Sequence, residues 1–165
     1  MPNPSSTAAQ RLDAVSAHLS SSPSDPPPTM SASEKKPPIT CHVLDTSLGR
    51  PASSIPVTLT LHNPPSSLSS SGLTFSGTTN ADGRVTSWAP SSPFSADALD
   101  VVFQREGDQK YSLTFDTESY FGEREVKTFF PEVEVKFVVR DDAKGEHYHV
   151  PVLLSPFGYT TYRGS

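Results

Sequence analysis

The feature that most constrains this chain is a two-residue alternation recurring in short runs bounded by turns. In "IPVTLTLH" (55–62) Ile55, Val57, Leu59 and Leu61 occupy every second position. In "PEVEVKFVV" (131–139) Val133, Val135, Phe137 and Val139 alternate with Glu132, Glu134 and Lys136. Successive side chains of a strand point to opposite faces, so such a run buries one face and wets the other; a helix of period 3.6 would scatter both sets. "ITCHVLD" (39–45), "GLTFSGTT" (72–79), "QKYSLTFD" (109–116) and "HYHVPVLL" (147–154) read as further strands. Between them lies turn chemistry. In "NADG" (80–83) Asp-Gly supplies the positive φ of a tight reversal, "DDAKGE" (141–146) turns the chain into its final stretch, and "SPFG" (155–158) reads as a hairpin turn. "DTESYFGER" (116–124) is the single helical candidate, with Asp116 or Thr117 as N-cap. Seven or eight strands and one short helix within residues 39–165 predict an all-β sandwich.

The alternation starts at Ile39. Residues 1–38 are rich in Ser, Pro, Ala and Thr, and "SSSPSDPPPTMSASEKKPP" (20–38) has the composition of a linker, so residues 1–38 are expected to be a disordered leader. A net charge of -5 and a pI near 5.4 argue against nucleic acid or an anionic membrane as partner, since both require a basic face. The one cysteine, Cys41, excludes an internal disulfide framework and fits a reducing compartment. Apolar runs such as "VPVLL" (150–154) are far too short to span a bilayer, and no basic-then-apolar secretory signal opens the chain. A soluble intracellular protein is expected.

The pleat places the histidines. His147, His149, Pro151 and Leu153 share one strand face, opposite Tyr148, Val150, Val152 and Leu154; Thr40, His42 and Leu44 lie opposite Ile39, Cys41 and Val43. If the all-apolar faces form the core, His42, His147 and His149 point outward together with Leu44, Pro151 and Leu153. A sheet apolar on both faces is expected to be covered on both. The outer face is therefore expected to be an interface with histidines set in it. Three uses for them stand open: plain surface or interface residues, a zinc site from His-x-His plus a third histidine, or general acid–base work by neutral imidazoles. Cys41 and His42 face opposite ways and cannot form a nucleophilic dyad.

Four stretches carry a family resemblance: "CHVLDTSLGRPA" (41–52), "TTNADGRV" (78–85), "DTESYFGEREVKTFFPEVEVKF" (116–137) and "HYHVPVLLSPFGYTTYRGS" (147–165). In that order they resemble the 5-hydroxyisourate hydrolase family, the transthyretin-like enzymes of urate breakdown, and the terminal "YRGS" separates these hydrolases from transthyretin itself. The loop "NPPSSLSSSG" (63–72) is longer than the family usually carries. The resemblance implies a sandwich of two four-stranded sheets with one short helix, assembled as a homotetramer with active sites in the channel between dimers. It implies hydrolysis of the N1–C6 amide of 5-hydroxyisourate, needing neither cofactor nor metal. The family's first-strand histidine falls on His42 and its "DGR" arginine on Arg84. The histidine of "HVP" falls on His149, and the tyrosine and serine of "YRGS" on Tyr162 and Ser165. The resemblance thus implies His42, Arg84 and His149 as catalytic residues, with His42, Arg84, Tyr162 and Ser165 binding substrate; His147 is a less secure member.

Within the leader, "RLDAVSAHL" (11–19) is similar to the type-2 peroxisomal targeting nonapeptide, Arg-Leu, five residues, His-Leu. Seven residues are nearly two helical turns, so Arg11 sits over His18 and Leu12 over Leu19, an amphipathic pattern that an import receptor's groove can read. A peroxisomal location is expected, or a cytoplasmic one if the signal is unused. Two rivals to the hydrolase remain: a transthyretin-like carrier of a small ligand, and a β-sandwich interaction module.

Overall fold

The structure, a computed structural model, describes residues 36–64, 73–91 and 97–165. The nonapeptide (11–19), nearly all of the leader and most of the Ser-rich loop lie outside the described residues. Ten strands occur among the described residues: β1 (Ile39–Asp45), β2 (Arg50–Pro51), β3 (Pro56–Leu61), β4 (Leu73–Thr78), β5 (Arg84–Val85), β6 (Ala89–Pro90), β7 (Gln109–Asp116), β8 (Glu132–Val139), β9 (Tyr148–Ser155) and β10 (Gly158–Thr161). One sheet runs β10-β9-β1-β2, with β5 also paired to β1; the other runs β6-β4-β3-β7-β8. The expected two-sheet sandwich is present, but each sheet has five strands rather than four. The longer strands number three in the first sheet and four in the second; β2, β5 and β6, two-residue segments too short to show any alternation, bring each to five.

The alternating runs do what their period requires. Ile55, Val57, Leu59 and Leu61 are all buried, and Tyr148, Val150, Val152 and Leu154 meet them from the other sheet with Ile39, Cys41 and Val43. On β8, Val133 and Val139 are buried, while Val135 and Phe137 pack against the core half-buried. Two short helices replace the expected one. α2 (Thr117–Gly122) is the anticipated element, its N-cap Asp116 accepting a hydrogen bond from the Ser119 backbone N–H at 2.9 Å. α1 (Leu99–Phe103) was not anticipated: it lacks a capping side chain and is held by burial of Leu99, Val102 and Phe103, at i, i+3 and i+4.

A polar network fastens α2 to the end of β1. The Asp45 side chain is 0% exposed and accepts hydrogen bonds from Tyr120 Oη at 2.9 Å and from the Ser47 backbone at 2.8 Å. It also pairs with Arg124 Nη2 at 2.8 Å.

The pairing that positions everything below is β1 with β9. These strands are parallel, with Thr40 opposite His149 and His42 opposite Pro151. On the other edge of β1, β5 runs antiparallel and sets Arg84 opposite His42.

Candidate active site

The site grows from that register. Residues opposite one another on neighbouring strands point to the same face, so Thr40 and His42 of β1, Arg84 of β5 and His149 of β9 share the sheet's outer face. The His42 and His149 rings lie with centroids 6.4 Å apart, and His149 and His147 lie 6.3 Å apart in a stacked orientation. Arg84 is exposed, and both histidines are half-buried.

Arg84 is delivered by the "NADG" turn. Asn80 Oδ1 accepts hydrogen bonds from the Asp82 and Arg84 backbone N–H groups, each at 3.0 Å, and Gly83 N–H donates to Asn80 O at 2.8 Å. Gly83 has φ +70°, and a Cβ there would lie 2.4 Å from Val43 O. Glycine is thus required twice over, for the left-handed backbone and for the close approach of the turn to β1.

The terminal residues return to the same face. Gly164 forms a bridge with His149, donating its N–H to His149 O at 2.9 Å. A Cβ at Gly164 would lie 2.6 Å from His149 Cδ2 and 3.0 Å from Pro151 Cγ, so the glycine of "YRGS" is what lets the tail lie flat beside the histidine. Arg163 anchors the tail through an ion pair with Glu146 and places its guanidinium 5.3 Å from the centre of the Tyr148 ring. Tyr162 and Ser165, on either side of this anchor, are exposed. A cleft of about 350 Å³ opens next to the tail, lined in part by His149, Tyr162 and Arg163; His42 and Arg84 are not in its lining.

Electrostatics favour neutral imidazoles here. Burial, then the charge of Arg84, then the neighbouring His147, His42 and Lys36 push the His149 pKa down to about 4. Burial and Arg84 also lower the His42 pKa, partly opposed by the Asp82 backbone carbonyl. His147 is lowered by burial and by Lys36. By contrast, burial pushes the Cys41 thiol up to about 12, which leaves it an inert core residue. Among the described residues no group of three or more His, Cys, Asp or Glu side chains is arranged to hold a metal ion. No helix among them is long and apolar enough to cross a membrane.

The structure therefore brings His42, Arg84 and His149 together and lays the backbone carrying Tyr162 and Ser165 beside them. It also shows a group that the strand pattern did not single out. The hydroxyl of Thr40, a residue only 4% exposed, lies 2.9 Å from His149 Nδ1 and 3.1 Å from His147 Nε2. Its one sequence signal is its place two residues before His42 on the same face.

Comparison with known proteins decides the family. The profile described as the HIUase/Transthyretin family matches residues 39–164. The chain belongs to the HIUase/transthyretin family. Within it, the chain is 40% identical over 129 residues to the probable 5-hydroxyisourate hydrolase of Schizosaccharomyces pombe, covering 78% of this chain and 92% of that one. It is 38% identical over 128 residues to the 5-hydroxyisourate hydrolase of Mus musculus, covering 78% and 95% respectively. Among solved structures, 5-hydroxyisourate hydrolase from Klebsiella pneumoniae matches with a TM-score of 0.54 at 28% identity, over 77% of this chain and 98% of the other. Sea bream transthyretin in complex with thyroxine matches with a TM-score of 0.59 at 24% identity, over 77% and 94%, a likeness of fold alone.

Proposed function

We propose that this chain hydrolyses 5-hydroxyisourate at the N1–C6 amide, giving 2-oxo-4-hydroxy-4-carboxy-5-ureidoimidazoline, a step of urate degradation. The observation that carries this reading is the convergence of two neutral imidazoles and a guanidinium on one sheet face, in a chain 36–40% identical to hydrolases of that name in yeast, mouse and Salmonella. The substrate's ring carbonyl is activated, so a positioned water opens it without a protein nucleophile. His149 and His42 flank that water, and a neutral imidazole takes its proton as the oxygen bonds to carbon. Arg84 offers its planar fork of donors to the substrate oxygens and to the charge developing on the attacked carbonyl. Tyr162 and Ser165 supply polar groups at the wall of the pocket.

The direct test is the ultraviolet decay of freshly made 5-hydroxyisourate with and without purified, metal-chelated protein. Protein-dependent decay is expected. Decay at the spontaneous rate from a folded oligomer would instead leave a transthyretin-like carrier.

The depressed pKa of His149 has a kinetic sign. The base form is the neutral one, and it persists until pH falls to about 4, well below the ordinary histidine value of 6.5. The acid limb of kcat/KM, which reports the free enzyme, is therefore expected well below pH 6. A limb centred near 6.5 would assign the base to an unperturbed histidine elsewhere.

The exposed Arg84 and the 37% exposed Leu153 leave the face open in a single chain, which supports a homotetramer whose neighbouring subunits close the pocket. Deleting residues 162–165 should abolish turnover while the protein elutes as the same folded oligomer, since the tail's anchors lie on the outer face and not in the core. Normal kinetics from the truncated protein would remove the tail from the site.

Residues 11–19 direct the protein to peroxisomes through the type-2 import receptor, on the support of the Arg11-Leu12 and His18-Leu19 spacing. Exchanging Arg11 for Asp in a fluorescent fusion is expected to leave it cytosolic; unchanged punctate fluorescence would reject the signal.

A further inference from the structure

We propose that the Thr40 hydroxyl is a positioning residue that joins His147 to His149 in a proton relay and sets which nitrogen of His149 is free to act on water. This rests on the hydrolytic reading above and extends it to two further side chains around His149, Thr40 and His147.

The geometry is that of a shared hydroxyl. Thr40 Oγ1 is 2.9 Å from His149 Nδ1 and 3.1 Å from His147 Nε2, in a residue 4% exposed. A hydroxyl has one proton and two lone pairs, so it can donate to only one of the two rings. Two arrangements satisfy the trio. In the first, Thr40 donates to His147 Nε2 and accepts Nδ1–H from His149, which leaves His149 Nε2 bare and able to accept a proton from water. In the second, Thr40 donates to His149 Nδ1 and accepts Nε2–H from His147, and His149 carries its proton on Nε2. Once His149 Nε2 has taken a proton, moving two protons along the chain, Nδ1–H of His149 to Thr40 and the Thr40 proton to His147 Nε2, converts the first arrangement into the second with His147 as the cation, so the hydroxyl ties the state of His149 to that of His147.

The reaction uses both arrangements. As water oxygen bonds to the ring carbonyl carbon, one water proton passes to His149 Nε2. His149 then releases Nδ1–H to Thr40 Oγ1 while Thr40 passes its own proton to His147 Nε2, and the positive charge comes to rest on His147. When the C–N bond breaks, His149 Nε2–H goes to the departing ring nitrogen. The relay runs back at the same time, returning a proton to His149 Nδ1 and leaving His147 neutral. No proton is gained or lost by the trio over the cycle. The second water proton stays with the new carboxyl group.

The charges around the rings give this path its purpose. Burial first, then the charges of Arg84 from β5, His147, His42 from β1 and Lys36 oppose a positive charge on His149. At His147 burial and Lys36 are the opposing influences, with no contribution from Arg84. The relay moves the cation one ring away from the guanidinium that must stay free for the substrate.

The test is Thr40→Val, which keeps the shape and removes the hydroxyl, beside Thr40→Ser, which restores it. Thr40→Val is expected to lower kcat by about 10- to 100-fold, at or below the usual reach of general acid–base catalysis, with KM within about twofold. Thr40→Ser is expected to recover kcat to within about threefold. In parallel, nitrogen-15 NMR of the substrate-free protein near neutral pH reads the tautomer. Wild type should hold His149 mainly as Nδ1–H, and Thr40→Val should shift it toward Nε2–H. A His149 tautomer that does not move in folded Thr40→Val overturns the relay whatever happens to kcat. So does an unchanged kcat in a protein whose wild type hydrolyses 5-hydroxyisourate. Wild-type protein with no turnover would instead defeat the hydrolytic reading, leaving the tautomer measurement to judge the Thr40 coupling on its own.

Discussion

Replacing His149 with Asn should lower kcat on 5-hydroxyisourate by about 10²- to 10⁴-fold, the range that a positioned general base supplies. Asn is the informative choice because its amide can still meet the Thr40 hydroxyl that lies 2.9 Å from His149 Nδ1 in the native site. What it lacks is Nε2, the atom assigned to the water. His149 is half-buried on the outer face, and its backbone carbonyl, which receives the Gly164 N–H, is unaffected by the exchange. The fold and the tail's attachment should survive, so the loss should appear in kcat with an unchanged melting temperature and oligomer size. Turnover within about threefold of wild type would take the base role away from His149 and leave His42 as the imidazole to test. Arg84→Ala should cost somewhat less, about 10²- to 10³-fold, as expected for one lost donor at a developing oxyanion.

The largest stability effect is expected at Asp45→Ala. The Asp45 side chain has no exposure, and its oxygens accept hydrogen bonds from Tyr120, Ser47, Leu48 and Arg124. Removing it leaves the Arg124 guanidinium, already carrying a buried Nε without a partner among the described residues, with no counter-charge at the end of β1. Breaking a buried pair from one side typically costs about 3–5 kcal/mol, so the melting temperature should fall by roughly 10 °C or more. A fall of under about 3 °C would mean that α2 is held by the packing of Phe121 and not by this network.

The same carboxylate gives a sign for acid. Burial pushes the Asp45 carboxyl up, but the hydrogen bonds from Ser47, Tyr120 and Leu48 outweigh it and hold the group below its ordinary 3.8. Its contribution is therefore complete at neutral pH and is lost as pH falls through the lowered folded-state value. Asp45→Ala should accordingly flatten the acid side of the stability curve.

Strand faces, turns and the capped helix were legible because each is written within a few residues. The alternation at Ile55–Leu61 separates buried from exposed positions without reference to the rest of the chain, and Asp116 announces α2 by capping it. α1 and the two-residue strands were not legible. Five residues without a side-chain cap carry no start signal, and two residues carry no period. α1 exists because the surrounding core holds it, β2 and β5 because they pair with β1, and β6 because it pairs with β4.

The site divides in the same way. The sequence alone determined that His42, His147 and His149 face away from the core, that Arg84 follows a tight Asp-Gly turn, and that the chain ends in a segment with strand character. It could not bring them together. Thr40 meets His149 across 109 positions of chain, and His42 meets Arg84 only because β5 lies along the edge of β1 that β9 leaves free. The first meeting depends on the parallel register of β1 with β9 and the second on the antiparallel register of β5 with β1, and a shift of one residue would turn every side chain of a strand to the opposite face. The β1–β9 register is fixed by the burial of Ile39, Cys41 and Val43 with Val150, Val152 and Leu154. Local pattern encodes which way a side chain points, while its neighbours on a face are chosen by the non-local packing that pays the entropy of closing the chain.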